Sequence, residues 1–288
     1  MISPYVRRRR LASELIALRE EYGYSSARLA VTIGVARQRI SRLENCHVRP
    51  DLDEVMRILG ALGVGERRWN QIMTIAREAQ ERGWWEKYAT EMGPRQALYA
   101  NLEAGASRVR EYQMTFLPGL LQLPAFTEAR AQADRRTYAE HYDPLRALEA
   151  RAARQRVMRR PGGPTYAVLL DELAIRRHAA PPDVVTAQLR HLVELIETNP
   201  RVELRVLPID AAIFGHAMPR SAFSIYEYPD PDDPVVVAVD TVTSDLVLTD
   251  GDAVSKYRIL YQRLEDAALS AQDSAELIRA AADLALPR

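Results

Sequence analysis

Arg37, Gln38, Ser41 and Arg42 lie within six residues of one another, and Ile40 and Leu43 are interleaved with them. If residues 37–44 form a helix, the two apolar residues turn inward. At about 100° per residue Gln38, Arg42 and Asn45 then point away from the core, with Arg37 and Ser41 flanking them. Arginine can donate two parallel hydrogen bonds to guanine O6 and N7, and glutamine can pair in the same way with adenine. This small outward face therefore carries chemistry suited to reading base edges.

The surrounding residues supply the elements that would position it. Leu11, Leu15 and Leu18 repeat at helical spacing in a first helix over residues 9–22, stopped by Gly23. Ser25 is placed to cap a second helix whose inner stripe is Leu29, Ala30 and Ile33, and Gly34 supplies a tight turn before the third. Asp51 caps a fourth helix carrying Val55, Ile58, Leu59 and Leu62. A fifth, over residues 66–82, buries Trp69, Ile72, Met73, Ala76 and Ala79 and runs into Trp84, Trp85 and Tyr88, read as an inter-domain connector. Two short helices joined by a glycine turn, the second polar outside, are what the major groove of B-DNA admits, at about 12 Å wide.

Charge agrees with that reading. Over residues 1–50 there are 10 Arg against 4 Glu, whereas residues 200–252 hold 3 Arg against 10 Asp plus Glu, so a polyanion partner suits the head alone. The ratio of 37 Arg to 2 Lys across the chain reflects a general arginine usage and weakens any argument from arginine by itself. The chain has 288 residues, 47% of them apolar and 27% charged, which is enough for two globular domains. A single cysteine, Cys46, excludes a disulfide framework and cysteine-rich zinc sites and fits a reducing cytosol. No stretch reaches the roughly 18 apolar residues of a membrane span, and no signal peptide or anchor is read.

Beyond Gly93 the periodicity predicts continued helix through Tyr99, Leu102, Ala106, Val109 and Gln113 up to Pro118-Gly119, and then two more helices. The second of these starts at Asp143-Pro144 and holds Arg146, Arg151, Arg154, Arg156, Arg159 and Arg160, a solvated face or a phosphate-touching one. Strands are expected at 166–170, 202–207, 222–228 and 235–239, with a short one at 245–248. Helices are expected at 183–198, 252–266 and 273–284, the last with Ser270 and Asp273 at capping-box spacing. The expected fold is a mainly α head of five helices (residues 1–82) and an α+β domain (83–288) whose sheet of about four to five strands is flanked by helices.

The first part resembles the Xre/Cro-type helix-turn-helix family over residues 11–64, through Leu18-Arg19-Glu20, Gly23, Ser25, Leu29-Ala30, Gly34-Val35, Ile40-Ser41, Glu44-Asn45 and Pro50. The resemblance implies that Arg37, Gln38 and Arg42 read base edges and that G·C pairs occur in the operator. It implies backbone or secondary contacts from Ser26, Arg39, Ser41, Asn45 and Arg49, and a tie between helices one and three through Arg19 and Glu44. Three positions depart from the family pattern. Ala36 stands where Ser or Thr caps the recognition helix, Ser26 where a phosphate-binding Gln is common, and Cys46 where Gly often ends that helix. Cys46 reads as inert packing or as a redox switch.

The remainder, from Trp84 on, resembles the large C-terminal domain of WhiJ-like actinomycete regulators. The resemblance is carried by Glu103-Ala104, Pro118-Gly119-Leu120-Leu121-Gln122, Arg151, Arg154-Gln155, Asp171-Glu172, Gln188-Leu189, Val206-Leu207-Pro208, Phe223 and Ser274. It implies a small companion protein as a partner. A pocket for a small molecule or a peptide could be lined by Phe214, His216, Tyr226 and Tyr228, which are otherwise core. Asp171, Glu172, His216 and Asp240 are the residues a hidden hydrolase or metal site would use, yet no metal-ligand spacing, phosphate loop or nucleophile elbow accompanies them. The expectation is a cytoplasmic, nucleoid-associated transcription regulator that is not an enzyme and needs no cofactor or metal. It binds double-stranded DNA as a homodimer on a pseudo-palindromic operator. An antitoxin-like protein-interaction regulator is the alternative.

Overall fold

The computed structural model describes residues 2–138, 143–241 and 246–285, which fall into two compact units. One is Met1–Glu86 together with Tyr228–Pro234; the other is Lys87–Glu227 with Val235–Arg288.

The first unit is built on five helices, α1 (Pro4–Glu21), α2 (Ser26–Ile33), α3 (Arg37–Glu44), α4 (Leu52–Ala61) and α5 (Glu66–Gln80). Helix α1 begins at Pro4, not at residue 9 as the leucine spacing suggests. Ser3 caps it, its hydroxyl accepting from the Val6 N–H at 3.2 Å, and proline occupies the first helical position, where a missing N–H costs nothing. The predicted caps at Ser25 and Asp51 accept from Arg28 N and Glu54 N. Gly34 closes α2 in the left-handed region at φ 71°, a conformation that disfavours any side chain with a Cβ. The inward stripes meet in one core, where Leu15 and Leu18 of α1, Leu29 of α2, Ile40 and Leu43 of α3, Ile58 and Leu59 of α4 and Ile72 and Ala76 of α5 are all buried.

A turn of 3-10 helix, Trp84–Tyr88, leads into the second unit. Its elements are α6 (Ala89–Gly105), β1 (Arg108–Gln113), α7 (Pro124–Tyr138), α8 (Pro144–Arg159), β2 (Thr165–Asp171), α9 (Glu172–Arg176), α10 (Pro182–Thr198) and β3 (Val202–Leu207). They continue with β4 (Phe223–Glu227), β5 (Val236–Val239), β6 (Leu246–Leu248), α11 (Gly251–Ala267) and α12 (Ala271–Leu284). Six strands form one mixed sheet in the order β3-β2-β1-β4-β5-β6, with β1, β2 and β3 parallel and the remaining pairings antiparallel. The expected onset of the last strand at Asp245 lies outside the described residues.

The main correction is β1. The stretch read as helix to Gln113 stops at Gly105, and Arg108–Gln113 becomes a central strand paired on both edges. Val109 and Gln113 fit a helical period of four, but they fit a period of two equally well, and the polar Glu111 between them hid the alternation. With β1 the sheet has six strands rather than four to five.

Alternation divides the sheet into two faces. Tyr112, Leu169, Phe223, Ile225, Val237 and Val239 cover one, against Val254, Tyr261 and Leu264 of α11. The register places Val109, Tyr166, Tyr226 and Val236 in one row of the opposite face, with Glu111, Ser224 and Ala238 in the next. Ser270 caps α12 as expected, its hydroxyl accepting from Asp273 N at 3.1 Å. Among the described residues no helix is long and apolar enough to cross a membrane.

Candidate nucleic-acid interface

Helix α3 has the predicted bounds and the predicted faces. Ile40 and Leu43 are 1% and 4% exposed, whereas Arg37, Gln38, Ser41 and Arg42 are open to solvent along the other side, continued by Asn45 at the helix end. Arg37, Gln38 and Arg42 make no side-chain hydrogen bond or ion pair within the described residues. Their donors are uncommitted, which a base-reading side chain requires, since a donor already bonded gains little from a new acceptor.

What holds α3 in place is the tie expected between Arg19 and Glu44. The Arg19 Nε donates to Glu44 Oε1 at 2.6 Å, and an Arg19 Nη1 donates to the Tyr24 carbonyl at 2.9 Å, with both side chains nearly buried. Ser26 joins this network by donating to Glu44 Oε2 at 3.2 Å. Arg39 grips the buried Glu54 of α4, its Nε lying 3.1 and 3.0 Å from the two carboxylate oxygens. The Asn45 amide donates to the Ser41 carbonyl at 2.7 Å, and Arg49 donates to Glu86 at 2.6 Å. Of the eight residues singled out for DNA, five (Ser26, Arg39, Ser41, Asn45 and Arg49) are thus engaged inside the unit, and the three base-reading positions are not.

The departures from the family pattern have visible consequences. Ala36 sits in the extended N-cap conformation with no side-chain cap. Cys46 follows α3 in the left-handed region at φ 60°, half-buried, its thiol donating to the Arg8 carbonyl at 3.4 Å. Burial pushes that thiol above its ordinary range, although Arg9 and Arg8 pull the other way.

The local basic excess is partly offset within the same unit. Arg7 pairs with Asp233 at 2.9 Å, Asp230 at 3.0 Å and Glu78 at 2.9 Å, and Arg10 pairs with Asp230 and with Asp232 at 2.9 Å. Sequence reading passed over these pairings. The signal available was three aspartates in residues 228–234 against four arginines at 7–10. It also passed over Arg28, exposed on α2 with its guanidinium 4.2 Å from the centre of the Tyr24 ring, an arginine and an aromatic at i, i+4 spacing.

The other candidates are scattered. Phe214 is 78% exposed and His216 is exposed, while Tyr226 is buried in the sheet and Tyr228 is half-buried in the first unit. Asp171 accepts from the Tyr112 hydroxyl and caps α9, Glu172 accepts from Ile209 N and Arg176, and Asp240 pairs with Arg95 at 2.7 Å. Among the described residues no group of three or more His, Cys, Asp or Glu side chains is arranged to hold a metal ion.

The head is therefore a helix-turn-helix domain, of the Xre type, and residues 15–69 match the helix-turn-helix family model, the mark of a DNA-binding regulator. Residues 96–280 match the family described as a domain of unknown function (DUF5753), and the chain belongs to that family. No curated protein and no solved structure matches the chain significantly.

Proposed function

We propose that this chain is a cytoplasmic, sequence-specific transcription regulator that binds a pseudo-palindromic operator as a homodimer, with its C-terminal domain serving dimerisation and the sensing of an effector. The observation that carries it is the exposed row Arg37, Gln38 and Arg42 on a helix whose opposite side is locked into the core. Arg37 and Arg42 are assigned to guanine and Gln38 to adenine, and the phosphate-facing remainder falls to Ser41 and neighbouring cations. In a dimer the two recognition helices would enter successive major grooves about 34–36 Å apart.

The test is selection of genomic DNA fragments by the purified chain, followed by sequencing and footprinting. The expected result is one palindromic motif containing G·C pairs, whose preference is lost in Arg37→Ala and Arg42→Ala. Unchanged footprints in both variants would remove the base-reading role.

A further inference from the structure

The second unit contains a cavity of about 420 Å³ over the carboxyl end of β1, where β4 begins and β5 ends. Its size falls within the range of small-molecule sites, roughly 300–1,000 Å³, and the carboxyl end of a parallel strand is where open α/β sheets bind ligands.

The charged wall of this cavity is already answered from within the chain. Arg154 of α8 lays its guanidinium on the buried Glu103 of α6, with Nε–O distances of 2.7 and 3.0 Å, and Arg95 pairs with Asp240 at 2.7 Å. Arg130 and Arg151, the other two arginines of the wall, are engaged as well. On the floor, Glu111 of β1 accepts from the Tyr166 hydroxyl and from Gln113. Burial pushes its carboxyl upward, against those hydrogen bonds, which favours the neutral form. A charged ligand would therefore leave water to meet side chains that already have their partners.

What the cavity leaves open is neutral. Ser224 and Tyr226, two residues apart on β4 and so on the same face of the sheet, are 7% and 1% exposed and both line the cavity. Neither hydroxyl has a hydrogen-bond partner among the described residues. A buried hydroxyl left unmatched carries its full desolvation cost, so two of them side by side call for a ligand that matches both. Gln96 spends its carbonyl on Arg154 at 3.1 Å and keeps its amide N–H groups, while Gln113 spends an N–H on Glu111 at 2.7 Å and keeps its carbonyl. Donors and acceptors are thus offered together, and the rings of Tyr99 and Phe116 add flat apolar sides. An amide group presents the complement, one C=O beside one N–H, without a charge. We infer that this cavity binds a small uncharged aromatic amide or lactam, its polar edge matched by Ser224, Tyr226, Gln96 and Gln113 and its ring against Tyr99 and Phe116.

Its role as an effector site rests on reading the C-terminal domain as a sensor, but binding itself needs no DNA. The experiment is calorimetric titration of the full chain with the uncharged 2-naphthamide, the anion 2-naphthoate and the cation 2-naphthylmethylammonium. The amide should bind one per chain and about tenfold or more tighter than either ion, because each ion gives up its hydration without gaining an unengaged counter-charge. Ser224→Ala and Tyr226→Phe should each weaken the amide by about fivefold, as the loss of one neutral hydrogen bond predicts. Circular dichroism identifies any variant that has failed to fold, and the comparison of amide with ions on the unsubstituted chain then decides. No binding of the amide, an ion bound as tightly as the amide, or unchanged amide affinity in both folded variants would overturn the inference. A chain that selects an operator but binds no amide refutes the cavity alone; one that binds the amide but selects no operator refutes the regulator.

Discussion

Truncating Arg37 or Arg42 leaves α3 packed through Ile40 and Leu43, so the two substitutions probe recognition without disturbing the fold. Each is expected to lower discrimination at one base pair by about 1–3 kcal/mol with the melting temperature unchanged, as read by competition binding against single-base operator variants. Cys46 belongs to a different chemistry. Its raised pKa means less thiolate at neutral pH, so alkylation by iodoacetamide should be slower than for free cysteine, and a faster rate would restore the redox-switch reading. Glu111 makes a prediction about pH. Burial raises its carboxyl in the folded chain, so the folded state holds the proton more tightly than the unfolded one. Its stabilising contribution is then present at acid pH and lost as pH rises through the raised value. As pH rises above the ordinary carboxylate range the melting temperature of Glu111→Gln should fall less than that of the unsubstituted chain, and parallel curves would contradict this.

At the scale of elements, α3 depends on its neighbours for position. Glu44→Ala strands the nearly buried Arg19 and should cost about 3 kcal/mol in denaturant unfolding, because the remaining charge is left without its partner. Ala36→Ser should return about 1 kcal/mol, since the N-cap backbone is already extended and carries no side-chain cap. The recognition helix was legible in the sequence because its signals are local: a cap at Ser25, a glycine at 34 and two apolar residues three apart. Strand β1 was not. Its Glu111 accepts from Tyr166 of the neighbouring strand and from Gln113 of its own, so the apolar alternation that marks a half-buried strand is missing. Helix α8 misled for a related reason. Arg156 and Arg159 form the solvated face its sequence suggests, yet Arg154 turns inward to Glu103, a residue 51 positions earlier.

For the molecule as a whole, binding through a basic head predicts that log affinity falls linearly and steeply with log salt, through counterion release. A flat dependence measured by fluorescence anisotropy would count against phosphate contacts. The homodimer is tested by sedimentation at micromolar concentration with and without operator, where a monomer in both conditions would refute it. The division of labour between sequence and structure follows from range. Residue spacing by itself determined the five-helix head and the inward and outward faces of α3, because helix periodicity and capping act over only a few residues, whereas the Arg19–Glu44 tie was implied by the family resemblance. Only the tertiary structure decided that Arg7 and Arg10 meet Asp230 and Asp232, that β1 is the middle of the sheet, and that Arg130, Arg151 and Arg154 surround one cavity. Those pairings join residues tens to hundreds of positions apart, and such partners are chosen by packing and burial, which leave no local period to read.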